Sequence, residues 1–276
     1  MINFLSLTLS TLMLFSPLKV FSNSTTDINH EFNWYYFVDK ATNTIYAPKE
    51  TPFVENHNVF YAGDQNEKVL YLTFDEGYEN GYTKDIIKVL NKNNVPAAFF
   101  VTKHYMTSNQ DIIKEMVDGG HLVCNHTVSH KSMPVVVENL EKFKKELTDV
   151  EDCYKEITGQ EIPKYFRPPM GKYSHKSIIE TEKLGYATVF WSFAYKDWVV
   201  DSQPSRETAL KKITSKVYNG EILLLHACSK TNAEVLEEVI LKLKAEGYEF
   251  KDLNYLKESL NKKTFQNTNG RLLKTS

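Results

Sequence analysis

From Val69 onward the sequence predicts an α/β protein organised on a parallel sheet, and three observations carry that expectation. Short β-rich apolar runs alternate with longer segments of helical period. Several helical segments close on glycine, at Gly119, Gly159, Gly185 and Gly247, and the next apolar run follows soon after, as an αβ connection requires. Polar and ionisable residues gather where the apolar runs end, the edge at which parallel α/β folds build their sites. Strict alternation fits either an open doubly wound sheet or a barrel.

In chain order, residues 1–22 hold the uncharged run "FLSLTLSTLMLFSPL" ahead of Lys19 and read as an export signal or an N-terminal anchor. Small residues around Ser22 suit cleavage, the n-region lacks Lys and Arg, and Pro17 interrupts a run that is short for a membrane span. Residues 23–65, with the aromatic cluster "FNWYYFV", show no clear period and read as an N-terminal arm packed on a main domain at 66–260. Expected strands are Val69–Phe74, Ala97–Thr102, His121–Asn125, Tyr165–Arg167, Ala187–Phe193 and Glu221–His226. Helices fall between them in "TKDIIKVLNKNN", capped by Thr83, then "NQDIIKEMVDGG", "VENLEKFKKELTDVEDCYKEITG", "SHKSIIETEKLGY" and "NAEVLEEVILKLKAEGY". A polar tail, 261–276, closes the chain.

The 276 residues suffice for one catalytic domain with a small appendage. With 33 basic residues against 35 acidic, no global field points to nucleic acid, and Lys142, Lys144 and Lys145 read as the solvated face of a helix. Three cysteines, Cys124, Cys153 and Cys228, cannot all pair within one chain, so the core rather than a disulfide framework must hold the fold.

The chemistry begins with two adjacent acids, Asp75 and Glu76, at the end of the first strand. Side by side they repel, unless a cation sits between them or one of them does chemistry. His126 and His130 in "NHTVSH" stand four apart, close enough for one ion, and two histidines with one carboxylate form the ligand set of catalytic zinc and of some iron or cobalt sites. If one of the two acids then binds metal, the other is free to act as general base on the metal-bound water. Arg167 opens "RPPMG", where it could hold the base ionised, and the rigid turn behind it could offer a backbone N–H to an oxyanion. His226 ends "EILLLH" as a candidate acid with Asp197 to keep it charged. Singly, Arg167, Asp197 and His226 read equally well as ion-paired or satisfied interior groups; their meeting on one rim favours hydrolysis.

"TFDEG", "HTVSH", "RPPMG", "DW" and "LLLH" resemble, in order and spacing, the five motifs of the polysaccharide deacetylase family (NodB homology, carbohydrate esterase family 4), over roughly Val69 to Leu253. The extended "TFDEGYENGYT", "VFWSFAYKDW" and "LLLHACSKTNAE" are similar to the branch that de-N-acetylates muramic acid during muramic δ-lactam formation in spore cortex. The resemblance implies a distorted (β/α)7-type barrel and a metal-dependent de-N-acetylase. Asp75 is then the base, His226 the acid, Arg167 and Asp197 their supports, and Glu76, His126 and His130 the ligands of a divalent ion, zinc foremost. Met170 supplies an oxyanion donor, and Trp198, Leu224 and Tyr78 contact the glycan. Glu76 stands where the family has Asp, which adds one methylene, about 1.5 Å. Met170 stands where an aromatic residue is common.

The implied substrate is a peptidoglycan strand whose peptide stem an amidase has removed. The implied location is outside the cytoplasm, at the cell wall or spore cortex, with no nucleic-acid partner and membrane contact only through an uncleaved N-terminal segment. A deacetylase of chitin oligosaccharide, N-acetylglucosamine or xylan, a non-catalytic glycan-binding barrel, and a cytoplasmic metallohydrolase of small amides are the alternatives.

Overall fold

The structure is a computed structural model and describes residues 27–272; the expected signal or anchor at 1–22 lies outside them. Nine strands form one sheet in the order Phe193–Ala194, Ile222–His226, Val69–Glu76, Ala97–Val101, Leu122–Asn125, Tyr165–Phe166, Ala187–Val189 and Val59–Phe60, with Glu249–Phe250 added beside Val69 and Leu70. All of these pairings are parallel.

A length argument shows why the sheet must curl. Ala187–Val189 and Phe193–Ala194 lie six places apart in the strand order, which in a flat sheet is about 29 Å at 4.8 Å per strand. Only Phe190, Trp191 and Ser192 join them, and four residue steps reach at most about 14 Å. Strands at the two ends of the order are therefore brought close together, and the sheet curls into a distorted (β/α)7-type barrel. The crossing residues are tied down on both sides: Ser192 N–H donates to the Ile222 carbonyl, and the Arg167 guanidinium donates to the carbonyls of Val189 and Phe190.

Strand alternation sorts the side chains. Leu70, Leu72, Phe74, Phe99, Val101, Leu223 and Leu225 face outward into the core under the helices, whereas Val69, Tyr71, Phe100, Cys124, Tyr165 and Ile222 fill the barrel interior, closed below by Leu253 and Leu256. The long helix Leu140–Thr158 shows the same logic with period 3.6: it buries Phe143, Leu147 and Val150 and exposes Lys142, Lys144 and Lys145. Gly159 ends it in the left-handed conformation, φ 72°.

The structure corrects several boundaries. The expected strand Ala187–Phe193 is broken at the seam, because residues 190–192 cross from Ala187–Val189, next to last in the order, to the edge strand Phe193–Ala194. Val59–Phe60, inside the supposed arm, is a strand of the main sheet, so that sheet begins before residue 66. Thr83 is not a cap but the first helical residue of Thr83–Lys92; its hydroxyl donates to Glu79. The helix Gln110–Asp118 does close on Gly119, and the left-handed residue that follows is Gly120. The final helix, Leu253–Leu272, runs on through the start of the polar tail. The rest of the arm packs Trp34 flat on Phe190, ring centroids 4.1 Å apart, beside Val54 and Tyr173, and so covers the seam. All three cysteines are free and buried. Among the described residues, no helix is long and apolar enough to cross a membrane.

Candidate active site

A cleft of about 750 Å³ opens at the carboxyl ends of the strands, lined by Asp75, His126, His130, Met170, Leu224 and His226 with Tyr78, Trp191 and Trp198 around its mouth. Its size suits a sugar-sized ligand. Tyr78, Met170 and Trp198 are among the large apolar side chains left exposed, and the Tyr78 hydroxyl reaches the Trp198 carbonyl at 3.4 Å, linking two loops of the rim.

Asp75 ends the inward face of its strand. Its Oδ1 accepts from Arg167 Nη1 at 2.7 Å. Arg167 is wholly buried, stacked over the Phe100 ring at 4.1 Å, and its remaining bonds go to the Val189 and Phe190 carbonyls. Burial alone would raise the Asp75 pKa; the Arg167 charge, foremost among the groups around it, outweighs burial, so the carboxyl sits below its usual range and stays ionised.

His126 Nδ1 lies 2.8 Å from the Arg167 carbonyl, which can only accept, so the proton is on Nδ1 and Nε2 is bare. Burial, partly countered by Asp75, depresses its pKa to about 4, which keeps the ring neutral. The bare Nε2 faces Asp75 Oδ2 at 3.6 Å. The "NHTVSH" segment is a tight turn rather than a helix: Thr127 and His130 take positive φ, 75° and 52°, and His130 N–H donates to the Thr127 hydroxyl. That turn brings the two imidazoles to 5.0 Å, edge to face. Burial lowers the His130 pKa as well.

On the opposite wall, the buried Asp197 accepts from His226 Nδ1 at 2.7 Å, from the His226 backbone N–H at 2.9 Å and from Asn232 Nδ2 at 2.6 Å. Asn232 in turn accepts from the Tyr195 hydroxyl. Burial pulls the His226 pKa down, but the hydrogen bond and charge of Asp197, then the charge of Asp75, outweigh it and raise it. With Nδ1 held by Asp197, Nε2 is the nitrogen left for a ligand. In the "RPPMG" turn Met170 takes φ 59°, and among the described residues its N–H makes no backbone hydrogen bond, so this donor beside the cleft is free.

The structure therefore gathers Asp75, His126, His130, Arg167, Asp197, Met170, Trp198, Leu224, His226 and Tyr78 in or around one cleft. Glu76 is the exception, and the expectation that it joins the histidines around an ion is corrected. Its backbone still pairs in the sheet, opposite Val101, so its side chain follows Leu70, Leu72 and Phe74 to the helix side of the strand. There it is 1% exposed and both oxygens lack a hydrogen-bond partner. Burial, then the charges of Glu79, Asp75 and Asp197, raise its pKa well above the carboxylate range; the Ala227 amide lowers it a little without completing a bond. Among the described residues no three of His, Cys, Asp and Glu converge to hold a metal. The residues present thus do not fit the three-ligand zinc set read from the sequence.

Against known proteins, the polysaccharide deacetylase family model matches residues 62–189. PdaA of Bacillus subtilis, a peptidoglycan-N-acetylmuramic acid deacetylase, is 40% identical over 203 residues, covering 74% of this chain and 76% of PdaA. The chain belongs to the polysaccharide deacetylase family. The PdaA structure, a family 4 carbohydrate esterase, superposes with TM-score 0.79 at 38% identity over 83% of this chain and 97% of that one. A family 4 carbohydrate esterase from Bacillus anthracis gives TM-score 0.70 at 41% identity over 84% and 98%. A peptidoglycan-N-acetylglucosamine deacetylase of Bacillus cereus is 27% identical over 206 residues, 72% of this chain and 73% of its own length.

Sequence reasoning overlooked Asn232, which binds Asp197 and the His226 carbonyl at once. The available signal was a polar residue in the first turn of a helix directly behind the histidine-bearing strand; in the structure it is 1% exposed. It also passed over Trp191, whose only sequence cue was the aromatic-rich run "VFWSF".

Proposed function

We propose that the protein is a hydrolase that removes the N-acetyl group from N-acetylmuramic acid residues of peptidoglycan, in the formation of muramic δ-lactam in spore cortex. The observation that carries this reading is the pairing, across one cleft, of a carboxylate held ionised by Arg167 with an imidazole held protonated by Asp197. A base and an acid with pKa values pushed apart are what amide hydrolysis needs. Likeness to PdaA supports the muramic acid assignment.

In the reaction, a water donating to Asp75 Oδ2 and to His126 Nε2 satisfies two acceptors that otherwise face each other. Asp75 takes its proton as the oxygen attacks the acetamide carbonyl. The oxyanion is met by the free Met170 N–H. His226 Nε2–H then protonates the amine, the C–N bond breaks, and acetate and the free amino sugar leave. Lactam closure uses that amine and the lactyl carboxyl, which is why the peptide stem must already have been removed by an amidase. Zinc remains the ion suggested by family membership, but with Glu76 turned away no step here is assigned to it.

The substrate places the enzyme outside the cytoplasm, reached by export through the N-terminal segment. Mass spectrometry of muropeptides, with and without amidase pretreatment, tests the assignment. Loss of one acetyl from stem-free muramic acid alone is the expected result; loss from glucosamine would sink the muramic acid reading. If no acetate is released and glycan still binds after Asp75→Asn, the barrel is a binding module.

A further inference from the structure

Outside the cleft, a second pair of histidines meets where the N-terminal arm crosses the helix His175–Lys183. His57 Nε2 and His175 Nε2 lie 3.0 Å apart. Both rings are held in place: Glu182 Oε2 is 2.8 Å from His57 Nδ1, and Phe53 stacks on His175 with centroids 4.4 Å apart and planes at 20°. Glu182 also accepts the Asn58 backbone N–H through its other oxygen. A carboxylate on Nδ1 fixes the proton there and leaves His57 Nε2 as a lone pair, the arrangement found behind metal-binding histidines. Without an ion, one proton on His175 Nε2 joins the two rings.

We propose that His57 and His175 form a two-imidazole site for a late first-row transition-metal ion, with water completing the coordination. The ion would replace the shared proton and clamp the turn after Pro52–Asn56 to the start of the helix. An ion bonded at about 2.05 Å to both nitrogens, which now face each other at 3.0 Å, would sit off the line that joins them, so the two rings turn slightly to aim their lone pairs at it; cis imidazoles of this kind suit square-planar or octahedral Ni²⁺ and Cu²⁺. The positive end of the helix dipole works against a cation, and the Glu182 charge offsets it. No third His, Cys, Asp or Glu of the described residues joins the pair, so the affinity is that of a bidentate site.

The test uses the full chain with any affinity tag removed, and Ni²⁺ as probe, read by calorimetry and thermal melting. His126→Ala with His130→Ala removes the imidazoles of the cleft from the count. One equivalent of Ni²⁺ should still bind that variant and raise its Tm by roughly 4–10 °C at saturation. His57→Gln, whose amide can still donate to Glu182, should abolish both effects while leaving acetate release and the metal-free Tm unchanged. His175→Gln should do the same if His57→Gln fails to fold. Glu182→Gln should weaken binding by about 10–100-fold. Binding that disappears with His126 and His130, that survives both glutamine variants, or that is absent from the wild type at millimolar Ni²⁺ overturns the proposal.

Discussion

Replacing Asp197 by Asn isolates the acid half of the proposed reaction. The substitution keeps shape and volume but leaves a side chain with one acceptor and one donor where three donors converge: His226 Nδ1, the His226 backbone N–H and Asn232 Nδ2. If the amide oxygen faces Nδ1, its NH₂ meets two other donors; if it is turned round, Nδ1 must accept and the ring changes tautomer. In either arrangement the Asp197 charge and its charged hydrogen bond, the leading causes that raise the His226 pKa, are lost, while burial, which lowers it, remains and only the weaker pull of Asp75 opposes it. A positioned general acid is worth about 10²–10⁴ in rate, so kcat should fall by that factor, about 2.7–5.4 kcal/mol at 1.36 kcal/mol per decade. The sign of the pH effect follows as well. The acid must be protonated, so activity declines as pH rises through the His226 pKa; in the wild type that limb lies above the usual value near 6.5, and in the variant it should move to lower pH. Acetate release from stem-free glycan across pH 5–9 measures both. A variant with kcat within threefold of wild type and an unmoved alkaline limb would refute the assignment of His226 as the acid.

Three further perturbations probe other parts of the molecule. Glu76→Gln should leave acetate release within about threefold of wild type, with or without added divalent metal, because the side chain lies behind the strand; a large loss restored by metal would return Glu76 to the ligand set. Asp75→Asn strands the Arg167 guanidinium in the interior, at a cost of about 3–5 kcal/mol and roughly 6–15 °C in Tm; adding Arg167→Met should cost less than the sum of the single changes, and strict additivity in urea titrations would contradict the ion pair. Glu221, buried at the foot of its strand with Oε2 unpartnered, has its pKa raised by burial to about 8. Its proton is kept in the folded state and lost from the unfolded chain between pH 4.5 and 8, so stability should fall by about 1.4 kcal/mol per pH unit across that window. Glu221→Gln should flatten the slope, and parallel stability curves for the two proteins would exclude this account.

Much of this was legible in the sequence because parallel α/β architecture ties chemistry to strand ends. Asp75, Arg167 and His226 each close an apolar run, and the runs needed only to be recognised for the residues to fall together. Asp197 follows the same rule one loop later. What escaped notice was governed by geometry with no compositional trace. The Phe190–Ser192 crossing is as apolar as the strand before it, so "ATVFWSF" reads as one run although the chain leaves one end of the curled sheet and joins the other. Val59–Phe60 is too short to carry a period. Glu76 was misplaced for a reason the sequence did contain: a strand that pairs through its last residue sends neighbouring side chains to opposite faces, so two adjacent acids there do not share a ligand. The left-handed turn at Thr127 to His130, by contrast, has no glycine to announce it.

The short strand Val59–Phe60 has a practical consequence. It lies before the stretch matched by the family model, which starts at residue 62, and it covers Ala187–Val189 on the side away from Tyr165–Phe166. A fragment that starts at residue 62 and keeps the rest of the chain would leave the Thr188 and Phe190 N–H groups without the carbonyls of Asn58 and Phe60, and would uncover the Phe190 ring on which Trp34 rests. An open edge beside a greasy patch invites strand addition between molecules. Expression of the excised catalytic segment should therefore yield oligomers or inclusion bodies, while a fragment that begins at Asp27 keeps its edge capped.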